Sequence, residues 1–136
     1  MVYTVDPSEP EKQPIAASLL RRTIKNRTLV LSPQSLNECY RVITDRRRLL
    51  DRNAAREFIA DLSESCTAPL DYAVTRLAWQ IQDRTNFAIW DCLLLASASL
   101  AGCEIFLSED MQHDHRILNV RIINPFVLPH LQDLPI

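Results

Sequence analysis

The run Trp90-Asp-Cys-Leu-Leu-Leu-Ala-Ser-Ala-Ser-Leu-Ala-Gly-Cys-Glu-Ile-Phe-Leu-Ser-Glu-Asp-Met-Gln-His113 decides the fold class. Its first half is apolar except at Asp91, Ser97 and Ser99, which predicts a helix over roughly residues 89–101. Gly102 stands where a left-handed C-terminal cap belongs. Cys103-Glu-Ile-Phe-Leu107 then reads as a buried strand, and Ser108-Glu-Asp110 as the loop that leaves it. Downstream, a short turn or helix leads to a second strand, Asn119-Val-Arg-Ile-Ile123. Asn124-Pro125 ends it, because proline cannot extend an inner ladder.

Upstream, the same punctuation repeats. Leu70 to Gln82 is predicted helical, with Ala73, Leu77, Ala78 and Ile81 facing inward. Cys66-Thr-Ala is expected as a short strand. Before it, Asp51 or Asn53 can cap a helix whose apolar stripe is Ala55, Phe58, Ile59 and Leu62. Ser32 can cap another that opens with Pro33 and buries Leu36, Tyr40, Ile43 and Leu50. Thr28-Leu-Val-Leu-Ser32 is short, apolar and bounded by polar residues, the pattern of a buried strand. Ile15, Leu19, Leu20 and Ile24 mark a helix that opens at Pro14 and runs to Asn26. Helices alternating with short apolar strands predict an α/β fold, a three-layer α/β/α domain with a mainly parallel central sheet.

The chain has 136 residues, the size of one domain, and 47% hydrophobic with 24% charged residues excludes a disordered polymer. No apolar run approaches a membrane span, and no basic, apolar leader opens the sequence, so a cytoplasmic location is expected. The net charge of −2 is unevenly spread: residues 1–68 carry +2 and residues 69–136 carry −4. Arginines crowd at Arg21, Arg22 and Arg27, and again at Arg41, Arg46, Arg47, Arg48, Arg52 and Arg56. They serve either as solvated helix faces or as phosphate contacts. Cys39, Cys66, Cys92 and Cys103 lie far apart and read as reduced thiols. His113 and His115 read as surface or loop residues, and His130 lies in a proline-rich tail. Trp79 and Trp90 sit at helical positions and read as core or interface residues rather than base-stacking platforms.

In an open parallel sheet, ligands sit outside the C-terminal strand ends. Glu38 falls early in the helix after 28–32, Asp110 just past 103–107, and Asp91 at the start of the helix that feeds that strand. Three carboxylates from separate segments could converge there. Each also has a plain reading: Asp91 as a favourable helix N-terminal charge, Asp110 as a turn residue, Glu38 as a partner of Arg41 or Arg46. Crowded carboxylates repel, and a divalent cation removes that cost. Oxygen-only ligands suit Mg²⁺ or Mn²⁺, which can polarise a phosphoryl oxygen and acidify a water. A phosphoacceptor receiver shares the fold class but needs a lysine late in the chain, and the only lysines are Lys12 and Lys25.

The quoted run resembles the C-terminal half of a PIN domain, and Arg121-Ile-Ile-Asn-Pro-Phe126 is similar to that family's closing strand. Ser35-Leu-Asn-Glu-Cys-Tyr40 resembles the helix bearing the family's second acid. The resemblance implies a single PIN-like domain over 1–136. It also implies acids at Glu38, Asp91 and Asp110 that are catalytic and hold Mg²⁺ or Mn²⁺, with Ser108 as a supporting hydroxyl. Many PIN domains of this size resemble VapC-type toxins, which are metal-dependent ribonucleases held by an antitoxin. The resemblance therefore implies an RNA substrate, an antitoxin partner and a homodimer, with no membrane. Arg46, Arg47 and Arg48 are the candidates for RNA contact.

The family opens on a strand ending in Asp-Thr-Asn, a tripeptide absent here. In one register the N-terminal strand is truncated or degenerate. In the other, Tyr3-Thr-Val-Asp6 is the strand and Asp6 a substitute metal ligand. Two functions are thus expected: a PIN-like metal-dependent endoribonuclease hydrolysing RNA phosphodiesters, or a catalytically inactive PIN-like module that binds protein or RNA.

Overall fold

A computed structural model describes residues 1–128 and Leu134; His130 lies outside the described residues. The chain is α/β and forms two compact units, each assembled from separated stretches. The first comprises Met1–Leu29, Ser35–Cys66 and Phe126–Ile136, the second Val30–Gln34 and Thr67–Pro125.

The first unit is helical. It opens with a 3₁₀ turn, Val2–Val5, where the Thr4 N–H and hydroxyl both donate to the Met1 carbonyl at 3.0 and 2.7 Å. A strand over Tyr3–Asp6 is therefore not formed. Helix α1 spans Lys12–Lys25. Its buried side is Ala16, Leu19 and Thr23, while Ile24, expected inside, is 46% exposed. Thr23 can be buried because its hydroxyl donates to the Leu19 and Leu20 carbonyls. Helix α2, Pro33–Arg41, continues into a π turn over Val42–Arg46. Helix α3, Arg52–Ala60, is capped by Asp51, whose carboxylate accepts from the N–H groups of Asn53 and Ala54. Cys39, Ile43 and Ala55 form the buried centre of this unit, flanked by Met1, Val2, Val5, Tyr40, Leu50, Phe58 and Ile59.

The second unit holds α4 (Tyr72–Gln82) and α5 (Ile89–Leu100), which pack along each other, and a sheet. Asp71 caps α4 by accepting from the Val74 N–H at 3.1 Å. The strands are β1 (Ile105–Leu107), β2 (Arg116–Ile117) and β3 (Val120–Ile123), in the order β1-β3-β2. The β1–β3 pair is parallel and the β2–β3 pair antiparallel, so the sheet is mixed rather than mainly parallel. Residues 116–117, expected in a turn or helix, are a strand that returns through Leu118, whose φ is 54°. Val74, Ala78, Ile81, Cys92, Leu95, Val120 and Ile122 make the core of this unit. The inward stripe of α4 is thus Val74, Ala78 and Ile81, and Ala73 is exposed.

Two expected strands do not form. Residues 28–32 form no ladder, and neither do 66–68, where Ala68 lies in a bend. One hydrogen bond links them, from the Ala68 N–H to the Leu31 carbonyl at 3.0 Å. A strand is a pairing, and one bond does not make a ladder.

The ends of α1 and α5 close in the same way. After α5 the Cys103 N–H donates to the Ala98 carbonyl and the Gly102 N–H to Ser99, with Gly102 at φ 75°. After α1 the Thr28 N–H donates to Thr23 and the Arg27 N–H to Ile24, with Arg27 at φ 56°. Both are Schellman caps, and the left-handed position costs an L-residue about 1 kcal/mol. No atom lies within 4 Å of a Cβ built on Gly102, so conformation alone decides there. Arg27→Gly is expected to raise stability by about 0.5 kcal/mol and Gly102→Ala to lower it by about 1 kcal/mol. Urea unfolding of the two variants reads both signs.

Candidate functional site

Asp91 lies in the first turn of α5, whose N-terminus is set by Ala88 in an extended conformation. The Asp91 and Cys92 N–H groups both donate to the Ala88 carbonyl, at 3.0 and 3.1 Å. A carboxylate in that turn faces the positive end of the helix. Asp110 is exposed on the loop that leaves β1. Ser108 shapes this loop twice. Its N–H donates to the Ile123 carbonyl of β3 at 3.0 Å, and its hydroxyl accepts the Asp110 N–H at 3.3 Å. Ser108 thus positions the backbone that carries Asp110.

Both acids belong to the second unit, Asp91 at the start of α5 and Asp110 on the loop after β1. Only residues 101–104 separate α5 from β1, and α5 packs on β3, the parallel neighbour of β1. The chain must therefore reverse between helix and strand. Asp91 stands about 14 Å back along α5 from Leu100. Strand β1 runs only Ile105–Leu107, about 7 Å, and the loop that bears Asp110 leaves from its far end.

Glu38 is exposed on α2 in the first unit. Within each unit, among the described residues, no three His, Cys, Asp or Glu side chains gather into a metal-sized group. The donors Asp91 and Asp110 are both carboxylates. That set fits Mg²⁺ or Mn²⁺, which are held by one or two carboxylates with the remaining positions left to water and phosphate.

Asp6 is fully buried and its oxygens are taken. Oδ1 accepts from the Ser8 N–H at 3.0 Å and the Ser8 hydroxyl at 2.6 Å, and Oδ2 pairs with the Arg47 guanidinium. Arg47 also approaches Glu9 at 3.6 Å and lies over the Tyr3 ring. Asp6 is an internal counter-ion here, and Arg47 is committed to it; Arg46 and Arg48 are exposed. The Ser8 hydroxyl first, then Arg47, hold the Asp6 carboxyl below its ordinary 3.8 against the opposing effect of burial. A depressed carboxylate contributes stability that is present above its unfolded value and lost as pH falls through the folded one. Asp6→Asn is expected to flatten the loss of stability below about pH 4. Urea midpoints at pH 3 and pH 6 check it, and an unchanged difference between them would contradict it.

The cysteines are free thiols. Burial raises the Cys39, Cys92 and Cys103 thiols above their ordinary value, so they are poor nucleophiles. A groove of about 410 Å³ between α2 and α3 is lined by Leu36, Tyr40, Ile59 and Cys66 with Asn37 and Arg56, and no carboxylate faces it. Of the two expected places for the tryptophans, the core is excluded: Trp79 is 48% and Trp90 64% exposed.

Against known families, the PIN domain profile matches residues 2–116. The chain therefore belongs to the PIN domain family, whose members are nucleases that generally use divalent metal ions. A comparison with curated proteins gives no match. Among the described residues, no helix is long and apolar enough to cross a membrane.

Proposed function

We propose that this chain is a metal-dependent PIN endoribonuclease. What supports this reading is the PIN family match over residues 2–116, with Asp91 at the start of α5 and Asp110 on the loop after β1 in the same unit. Asp91 and Asp110 would hold Mg²⁺ or Mn²⁺; for Glu38 an acidic role follows only from the family resemblance of Ser35–Tyr40. A bound divalent cation supplies charge neutralisation at phosphate and acidification of a water. Asp91 presents a carboxylate that the helix end favours, and Ser108 holds the Asp110 loop against β3. The exposed Arg46 and Arg48 are available for backbone phosphates. The toxin role, with an antitoxin as protein partner and a homodimer as the assembly, follows the family resemblance of the Ser-Glu-Asp-Met and Asn-Pro-Phe segments.

A second reading, an inactive binding module, is favoured by the engagement of Asp6 with Arg47 and Ser8, which removes the substitute first acid. Cleavage of a fluorescent single-stranded RNA, with Mn²⁺ and with EDTA, tests the choice. Metal-dependent cleavage supports the nuclease. RNA binding without cleavage supports the module.

A further inference from the structure

The loop from Ser108 to His115 carries Asp110, and backbone hydrogen bonds tie it to β3. The Ser108 N–H donates to the Ile123 carbonyl at 3.0 Å, the Asp114 N–H to Ile122 at 2.8 Å, and the Ile122 N–H to His115 at 2.8 Å. A further bond uses a side chain: the Asn124 N–H donates to Nδ1 of His113 at 3.1 Å. The register explains it. β2 and β3 pair Arg116 with Arg121 and Ile117 with Val120, and the same count sets His113 opposite Asn124. A continued ladder would join the Asn124 N–H to the His113 carbonyl. Asp114, at φ 63°, turns the chain out of the strand, so the ladder breaks off before that point. The His113 imidazole takes the bond that its carbonyl would have made. The donor is fixed, because Asn124 follows β3 directly and Pro125 behind it restricts its backbone to extended conformations.

An imidazole nitrogen accepts a hydrogen bond only while it carries no proton. The bond to Asn124 therefore requires a neutral His113 ring with its proton on Nε2. A second proton, on Nδ1, would set two donors against each other. Histidine is the side chain that gains such a proton between pH 5 and 8. A second side-chain tie of the loop, Asp114 to Arg121, does not change there, because Arg121 holds the Asp114 carboxyl below its ordinary 3.8. The His115 ring meets the Phe87 ring edge to face, with centroids 6.0 Å apart, and takes no part in the bonds to β3. The charged groups of this corner are Glu109, Asp110 and Asp114 on the loop, Arg116 on β2 and Arg121 on β3. Asp114, next to His113 in the chain, already faces Arg121, which limits what it can offer an imidazolium.

We propose that His113 is a pH-sensitive latch on the loop that carries Asp110. Neutral, it fixes the loop to the end of β3 and keeps Asp110 placed for a divalent cation. Protonated, it lets go, and the affinity of the site for the cation falls. His113 is a positioning residue: it stands three places from Asp110 and acts through the loop backbone. A cation that selects the latched loop loses affinity only by the worth of one hydrogen bond, about fivefold in an equilibrium. The effect on a metal ion rests on the nuclease reading above; the latch itself rests on the Asn124–His113 bond.

The test is made on the whole chain. In ¹⁵N-labelled, metal-free protein, the Asn124 amide proton is expected to move with the titration of the His113 ring between pH 8 and pH 5.5. Calorimetric titration with Mn²⁺ is expected to give about fivefold weaker binding at pH 5.5 than at pH 7.5. His113→Asn sets an oxygen near the position of Nδ1, and no proton takes that acceptor in this range, so its affinity should be nearly the same at both pH values. His113→Leu has no acceptor and should bind about fivefold more weakly than the unaltered chain at pH 7.5, with no further loss at pH 5.5. His115→Gln should lose affinity in acid as the unaltered chain does. His113 is exposed, and thermal melts at both pH values check that the variants fold. An Asn124 amide that ignores the His113 titration overturns the latch, and so does a His113→Asn chain that loses as much affinity in acid as the unaltered one. A pH dependence that vanishes in His115→Gln overturns it in favour of the other ring. If the amide follows His113 but Mn²⁺ binds at neither pH, the latch stands and the metal reading of Asp110 fails.

Discussion

Asp110→Asn and Asp91→Asn are each expected to weaken Mn²⁺ binding by at least about 100-fold and to lower RNA cleavage with it, while Asp114→Asn leaves both nearly unchanged. Removing even a group that only orients a ligand costs a metal site 10- to 100-fold, so losing the ligand itself costs no less. Amide for carboxylate keeps the size and removes the charge, which isolates the electrostatic part of the site. Asp114 is the matched control: it lies four residues from Asp110, is likewise exposed, and is paired with Arg121. An exposed pair of that kind contributes at most about 1 kcal/mol. Asp91→Asn has a second, smaller consequence, because its charge also sits at the N-terminus of α5. A stability loss of about 0.5 kcal/mol should accompany the lost metal affinity. Calorimetric titration with Mn²⁺ and urea unfolding separate the two effects. Equal titration curves for Asp110→Asn and Asp114→Asn would sink the assignment of Asp110.

The stretch that carries Asp91 and Asp110 was legible because every signal in it is local. Gly102 marks the helix end, and the cap forms from residues 98–103 alone. The apolar run on either side needs no distant partner to be read. Asp51 was legible as a cap for the same reason. Residues 28–32 carry the composition of a strand, but a strand exists only where another strand lies beside it, and composition does not report the neighbour. The β2–β3 hairpin was missed for lack of a turn signature: its left-handed residue is Leu118, where Asn or Gly would have announced a turn. The Asp6–Arg47 pair spans 41 residues, and nothing near Asp6 points to Arg47. In α4 the helical period is plain in the sequence but the phase of its first turn is not: Ala73 is exposed and Val74 buried. Aromatic residues at helical spacing are compatible with an inner or an outer face, and burial rather than sequence separates the two: Tyr72 and Trp79 lie outside the core.

Leu95→Ala is expected to destabilise the protein by about 3–4 kcal/mol, the largest single-residue stability effect among the apolar positions of α5. Leu93, Leu94 and Leu95 are indistinguishable in the sequence, and burial separates them. Leu95 is fully buried in the cluster with Val74, Ala78, Val120 and Ile122, whereas Leu93 is only partly buried against it. Truncation removes three carbon atoms and leaves a cavity between α4, α5 and the sheet, and close-packed neighbours collapse into such a space only in part. Leu100, on the same helix, is 48% exposed, and Leu100→Ala should cost less than about 1 kcal/mol. Urea midpoints with unchanged slopes give the comparison. The consequence reaches the site as well, because α5 carries Asp91 and packs on β3, and the Asp110 loop is tied to β3 through Ser108. Leu95→Ala should therefore also weaken Mn²⁺ binding at temperatures where the variant is still folded, and Leu100→Ala should not. If both variants bind Mn²⁺ as tightly as the unaltered chain, the placing of the two acids does not depend on how α5 is seated on the sheet.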